Sequence, residues 1–155
     1  MIKEKIGFTL IEIMIVVGVV LILATVAIPN MMRSKIVGNE TSAIATLKVV
    51  TNACNLYAMN NSIYPTNIDN LVTNQNPAYI SNDVYQAFPF TSILPKDGYR
   101  FNYGLTGTTG FWVRAQPFRY RVSGIRSFYC NESGLLTYCE TQNCNPTPPG
   151  GTPIY

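Results

Sequence analysis

Glu12 is an acid inside a long apolar run, and it is the residue from which chemistry can first be argued. An acid placed in a membrane span costs about 2.5–3.5 kcal/mol on insertion scales, so it normally has a functional partner. No Lys or Arg lies within one helical turn of it. A cut after Gly7 would create an α-amino group on Phe8, four residues before the acid. We therefore predict that Glu12 pairs with that amine, either within one chain or between two staggered chains.

Residues that commonly perform catalysis or hold metals are sparse. The chain has 155 residues, with 11 Lys+Arg, 8 Asp+Glu and no His, and its formal charge is +3. Without histidine, Ser-His-Asp triads, Cys-His dyads and HExxH zinc sites are excluded. The late acids Asp97, Glu132 and Glu140 are too scattered for a calcium site. We predict no enzyme activity, no metal and no other cofactor; the alternative is an enzyme or sensor that uses the apolar run only as a tether.

The apolar run covers residues 8–28 and follows a short polar leader at 1–7. As a helix it would be about 32 Å long, enough to cross a hydrocarbon core of about 30 Å. A buried core helix is usually shorter and interrupted by polar residues, and a conventional signal peptide has an apolar stretch of about 7–15 residues. An uncleaved single-span anchor fits the hydropathy but leaves Glu12 unexplained. The run is therefore predicted to span a membrane.

The hexapeptide GFTLIE at 7–12, followed by the apolar run, resembles the processing signal of type IV pilins and type II secretion pseudopilins. In that family, prepilin peptidase cuts after the glycine and methylates the new N-terminus, and the glutamate helps to dock each subunit into a growing filament. The resemblance implies that Gly7 is the last leader residue. It also implies that Phe8 is the methylated first residue of the mature chain and that Glu12 is the assembly acid.

The same resemblance implies a function and its partners. A subunit of this family lies in the inner membrane before assembly, and then in an extracellular pilus filament or a periplasmic pseudopilus. Its partners would be other copies of itself in a helical filament, prepilin peptidase, an inner-membrane assembly platform and minor pilins. We predict a structural subunit of a type IV pilus-like filament, polymerised through its N-terminal helix, with a type II secretion pseudopilin as the alternative.

A long helix must carry the N-terminal residues. Pro29 lacks an N–H and its ring disfavours helix at the preceding residue, so it predicts a kink. Beyond it, apolar residues recur at spacings of 4, 3, 4 and 3, typical of one amphipathic helix face: Ala43, Leu47, Val50, Cys54 and Tyr57. We predict one helix from about residue 8 to about 59, kinked near Pro29. The predicted organisation is a leader at 1–7, a transmembrane assembly helix at 8–29 and a head at 30–155.

Strands are predicted from Gly98 onward, where runs rich in aromatic and β-branched residues alternate with turn-forming residues. The runs are 99–103, 111–115, 118–122, 127–130 and 135–139. In the second run Phe111, Val113 and Ala115 share one face, and Trp112 and Arg114 share the other. An antiparallel meander of about four strands packed on the helix stripe makes the fold α+β, and the resemblance implies the type IV pilin-like fold.

The segments around these elements give weaker patterns. Thr66 is predicted to cap a short helix that ends at Val72. Residues 74–97 are predicted to form a loop that can hold a short helix. The tail at 145–155 is rich in Pro and Gly and is predicted to be an irregular coat or a mobile end.

Four cysteines, Cys54, Cys130, Cys139 and Cys144, lack the CxxC spacing of zinc ribbons and thioredoxin-like sites. Two disulfides formed outside the cytoplasm are the favoured interpretation, and four cysteines allow three connectivities. A Cys54–Cys130 bond would join helix to sheet and leave Cys139–Cys144 to close a C-terminal loop; a buried free Cys54 is the main alternative. In the resembled family a C-terminal disulfide loop is typical of type IV pilins and less so of the major pseudopilin.

A run of arginines without acids marks residues 98–131: Arg100, Arg114, Arg119, Arg121 and Arg126. The last four form a candidate basic patch, because aromatic residues interleave them. Such a surface can hold DNA through phosphate contacts and base stacking. The more ordinary explanation is a solvated strand face whose charges are balanced by neighbours in a filament.

Overall fold

The helix α1 runs for 52 residues, from Leu10 to Asn61. The structure is a computed structural model that describes residues 7–73, 77–88, 95–107, 109–140 and 152–154. The predicted helix is confirmed within two residues at each end, and it continues through Pro29. A kink at that residue stays a prediction. Ser62 follows the helix with a left-handed φ of 60°, which ends the helical path where the sequence predicts.

The chain divides into two compact units, Met1–Ser34 and Lys35–Tyr155. The first half of α1 meets the length and composition required of a membrane span, and its most apolar window has no buried residue. Every buried residue of the helix lies at Glu40 or beyond. The two halves of one helix therefore have different surroundings, and the predicted boundaries of leader, span and head stay predictions.

The unit Lys35–Tyr155 has two layers, the second half of α1 and a sheet. The sheet has five antiparallel strands, and their order in the sheet follows the chain. Its strands are β1 (Tyr99–Thr106), β2 (Gly110–Pro117), β3 (Ser127–Asn131), β4 (Leu136–Cys139) and β5 (Thr152–Pro153). The predicted α+β, pilin-like fold with an antiparallel meander is thus confirmed. The extra strand β5 has two residues and pairs with β4, inside the tail predicted to be irregular. So short a strand, containing a proline, carries no recognisable sequence pattern.

The predicted strand at 118–122 is wrong. These residues belong to a loop at 118–126 between β2 and β3, with an isolated bridge from Tyr120 to Gly124. Arg121 has a φ of 62°, which a residue in a strand cannot adopt. The aromatic and β-branched residues of this segment therefore lie on a loop surface.

The segment between α1 and the sheet holds a 3-10 helix, Ile68–Leu71, and the short helix α2, Asn82–Tyr85. Thr66 does not cap the first of these as predicted, because Asn67 occupies the N-cap position. The Thr66 hydroxyl instead accepts a hydrogen bond from Asn70 Nδ2 at 3.1 Å. The short helix predicted within 74–97 is α2, and residues 74–76 and 89–94 lie outside the described part of the chain.

The core lies between α1 and the inner face of the sheet. All five residues of the predicted helix stripe are buried: Ala43, Leu47, Val50, Cys54 and Tyr57. From the sheet, Phe111, Val113 and Ala115 are each 0% exposed. Full burial of a Phe or Val side chain contributes about 1.5–3 kcal/mol. The predicted assignment of the two faces of β2 is therefore confirmed.

Candidate functional site

The residues predicted to be processed lie just before α1. Gly7, Phe8 and Thr9 precede the helix without regular secondary structure, and the Phe8 side chain is 79% exposed. An exposed, irregular peptide is the form that a peptidase can cut. The geometry is therefore compatible with cleavage between Gly7 and Phe8, which stays a prediction.

Glu12 lies in the first turn of α1. Its backbone N–H donates a hydrogen bond to Thr9 Oγ1 at 3.3 Å, the contact made by an N-cap side chain. The positive end of the helix dipole stabilises a carboxylate in this turn. In the uncut chain the nitrogen of Phe8 is an uncharged amide, so the predicted counter-charge would exist only after cleavage.

The first half of α1 presents a continuous apolar surface. Every large apolar side chain from Phe8 to Met32 is at least 50% exposed within the chain. A patch of this extent is not stable against water and marks a surface that meets lipid or other proteins. The one acid in it, Glu12, is therefore the residue with a specific electrostatic requirement.

A second carboxylate, Glu40, was not predicted as a site residue. Its side chain is 7% exposed, and its Oε2 pairs with Arg126 Nε at 3.0 Å. Its Oε1 accepts hydrogen bonds from the backbone N–H groups of Ile125 and Arg126 at 3.0 and 3.1 Å. Because a buried charge is costly unless paired, this arrangement fixes the loop 118–126 on α1. The spacing of the sequence indicates that Glu40 is buried, because it lies three residues before Ala43 and so on the same face of the helix.

The four arginines of the candidate basic patch divide between two places. Arg114 lies on the outer face of β2, with its guanidinium carbon 5.7 Å from the Trp112 ring centre. The other three belong to the loop 118–126, and one of them, Arg126, is engaged by Glu40. Arg119 and Arg121 are exposed. The structure therefore replaces one predicted patch with an arginine pair on the loop and a separate arginine on the sheet.

The predicted Cys54–Cys130 disulfide is wrong in this structure, because both residues are buried free cysteines. Cys54 lies against Tyr103, whereas Cys130 lies near Thr51, one helical turn earlier. Tyr103 pairs with Val113, which pairs with Cys130, so Tyr103 and Cys130 are two strands apart, about 10 Å. The alternative of a buried free Cys54 is what the structure contains.

The other two cysteines are Cys139 and Cys144, near the C-terminus. Cys139 is disulfide-bonded. Its predicted partner, Cys144, lies outside the described residues. Burial raises the pKa of the free Cys130 thiol, although Thr51 and the backbone of Asn131 partly oppose the shift. The free thiol is therefore kept protonated and unreactive in the core.

A cavity of about 310 Å³ opens beside β1 and β2 and is lined partly by Asn67, Asn102, Trp112 and Arg114. Among the residues that the structure describes, the lining holds no carboxylate or thiol, and its one hydroxyl is the Tyr103 phenol. Burial raises the pKa of that phenol, and its hydroxyl donates to the Pro65 carbonyl at 2.5 Å. Within the described residues no three His, Cys, Asp or Glu side chains are grouped to hold a metal. The arrangement around this cavity offers binding contacts.

Comparisons with known proteins find similarity in the N-terminal segment and beyond it. Residues 3–28 match the family described as the prokaryotic N-terminal methylation motif. The type II secretion system core protein G of Vibrio cholerae serotype O1 is 32% identical over 104 residues, which cover 65% of this chain and 70% of that protein. The protein of the same name from Aeromonas hydrophila is 30% identical over 97 residues, 61% of this chain and 68% of its own. The competence protein ComGC of Halalkalibacterium halodurans is 37% identical over 65 residues, 42% of this chain and 64% of its own.

Proposed function

Because the chain belongs to the type IV pilin and type II secretion pseudopilin family, we propose that it is a structural subunit that polymerises through α1 into a membrane-assembled filament. One observation carries this proposal: the first half of α1 exposes all its large apolar side chains around a single acid, whereas the second half is built into a folded head. Such a helix suits lipid before assembly and the helices of other copies afterwards.

Processing prepares the subunit for assembly. Prepilin peptidase cuts between Gly7 and Phe8 and methylates the new amine on Phe8. The amine remains cationic, and Glu12 of a neighbouring, staggered copy supplies the opposite charge. Pairing removes the cost of an isolated acid in the apolar layer, so the pair sets the register between neighbouring helices.

The secretion pseudopilus is the first candidate for the filament. Two proteins named type II secretion system core protein G align over 68% and 70% of their length, so the similarity extends past the N-terminal motif. A pilus-like surface filament is the second candidate, favoured by the disulfide at Cys139 near the C-terminus. In either case the subunit starts in the inner membrane, and its partners are an assembly platform there and minor pilins.

The test of this function begins with the mature N-terminus. Mass spectrometry of the membrane and filament fractions is expected to find a chain that starts at methylated Phe8. Chains that keep Met1 and the leader in both fractions would contradict processing.

Glu12→Val tests the role of the acid. The variant is expected to insert in the membrane at least as well as the parent, because a costly charge is removed, but to be lost from sheared filaments. Ile13→Val, a change at the next position that keeps Glu12, is the matched control and is expected to assemble normally. Incorporation of Glu12→Val at the parent level would refute the assigned role.

A strain without the gene separates the two candidate filaments. Loss of protein secretion without loss of surface filaments supports the pseudopilus, and the reverse result supports the pilus.

A further inference from the structure

The loop 118–126 is a preformed surface at one end of the head, here called the near end. Asn39 Nδ2 donates to the Ser123 carbonyl at 2.8 Å, and Glu40 binds the backbone of Ile125 and Arg126. From the other side, the Tyr120 hydroxyl donates to the Glu140 carbonyl at 2.7 Å. These contacts fix the loop on the head, and Arg100 lies over the Phe118 ring at 4.4 Å, so little ordering is needed when a partner binds it.

The outward side of the near-end loop is apolar and basic. Phe118, Val122 and Ile125 are 37%, 55% and 39% exposed. Arg119 and Arg121 are exposed beside them. Within the described residues the salt bridge Arg126–Glu40 is the one that forms, so neither of these two arginines has an acid partner there. An exposed apolar patch with unneutralised cations is typical of a docking surface for an acidic partner.

The opposite end of the head, here called the far end, holds the end of β1 at Leu105 and the turn that follows β3. Strand β1 connects the ends: the Tyr99 hydroxyl donates to the Arg126 carbonyl at the near end, and Leu105 pairs with Phe111 close to the far end. The six steps from Tyr99 to Leu105 span about 20 Å at 3.3 Å per residue. The near-end loop of one chain therefore cannot reach the far end of the same chain.

The far end is apolar and acidic. Leu105 and Leu135 are 40% and 45% exposed, and the exposed acid Glu132 lies in the turn after β3, against Gly110. The sequence has no Lys or Arg at 105–110 or 131–135. The far end therefore has the charge that the near-end loop lacks.

We propose that the near-end loop of one copy docks on the far end of the next copy in the filament. Arg119 and Arg121 meet Glu132, and Phe118 and Val122 pack on Leu105 and Leu135. The inference rests on the proposed function, since a filament is what brings identical copies into a repeating arrangement. When two different surfaces of identical subunits bind each other, each new subunit still presents one free surface to the next copy. Repetition of the contact therefore gives an open helical assembly.

Charge reversal in the full-length protein tests this contact. Arg119→Glu with Arg121→Glu is expected to lower the amount of sheared filament at least tenfold, because like charges then face each other. Glu132→Arg alone is expected to lower it too, and the three changes together to restore it at least threefold over the double variant. Lys48→Glu reverses an exposed cation that lies on α1, outside both surfaces, and is the matched control with near-parental assembly. Unchanged Trp112 fluorescence shows that each head is folded.

The outcomes separate the inference from the function on which it rests. No filaments from the parent chain would overturn the proposed function. If the parent chain forms filaments and the double variant assembles fully, the inference is overturned but the proposed function is not. The same holds if the double variant loses assembly and Glu132→Arg does not restore it. If the double variant assembles normally but loses salt-dependent binding to duplex DNA or to vesicles with phosphatidylglycerol, the loop serves that ligand and the proposed contact is wrong.

Discussion

At the scale of single residues, Glu40 fixes a whole loop through two backbone hydrogen bonds and one ion pair. Glu40→Gln keeps the shape but removes the charge, and is expected to lower the free energy of unfolding of the head by about 2–3 kcal/mol. Urea unfolding of the detergent-solubilised protein, followed by Trp112 fluorescence, measures the change. Glu140→Gln alters an exposed acid and is expected to change stability by less than about 0.5 kcal/mol. Equal effects of the two substitutions would contradict the role given to Glu40.

The cysteines give a second prediction at this scale. Cys54 and Cys130 are 0% and 1% exposed and free, while Cys139 is disulfide-bonded. A thiol reagent is therefore expected to label no cysteine in the native head and two in denaturant without reductant. Peptide mapping identifies the labelled residues as Cys54 and Cys130. No labelling in denaturant would show that these two are joined after all.

At the scale of elements, α1 stabilises the head through one face only. Val50 is 0% exposed and Val49 is 46% exposed. The same substitution at these adjacent positions therefore distinguishes the effect of packing from the effect of helix propensity. Val50→Ala is expected to lower the free energy of unfolding by about 2 kcal/mol, from lost burial and a residual cavity. Val49→Ala is expected to change it by less than about 0.5 kcal/mol. The same urea titration measures both, and a larger effect at Val49 would reverse the assigned orientation of the helix.

Elements with a local periodic pattern could be predicted from the sequence. The spacing from Ala43 to Tyr57 predicted the buried face of α1, and alternation along β2 predicted which residues face it. The loop 118–126 could not be predicted, because it resembles a strand in composition and is held by Asn39 and Glu40, 84 to 86 residues away. The same reason applies to the sites: the N-terminal motif is contiguous, whereas the role of Glu40 depends on a distant segment.

At the scale of the whole molecule, the two units have different requirements for stability. Within Met1–Ser34 the described large apolar side chains are exposed, whereas Lys35–Tyr155 contains every buried residue of α1. Helices in proteins are stabilised mainly by packing of one face, so the half of α1 that packs on the sheet needs no support from the half that does not. The head is therefore expected to be an independent folding unit.

A chain that begins at Lys35 tests this independence. It is expected to be soluble without detergent, since it lacks the apolar run, and to unfold in urea within about 1 kcal/mol of the full-length head. A chain that begins at Ala45 is the control: it lacks Glu40 and Ala43, which are 5% and 1% exposed, and is expected to lose the cooperative Trp112 transition. Aggregation of the chain from Lys35, or a transition as poor as that of the control, would show that the span contributes to folding of the head as well as to assembly.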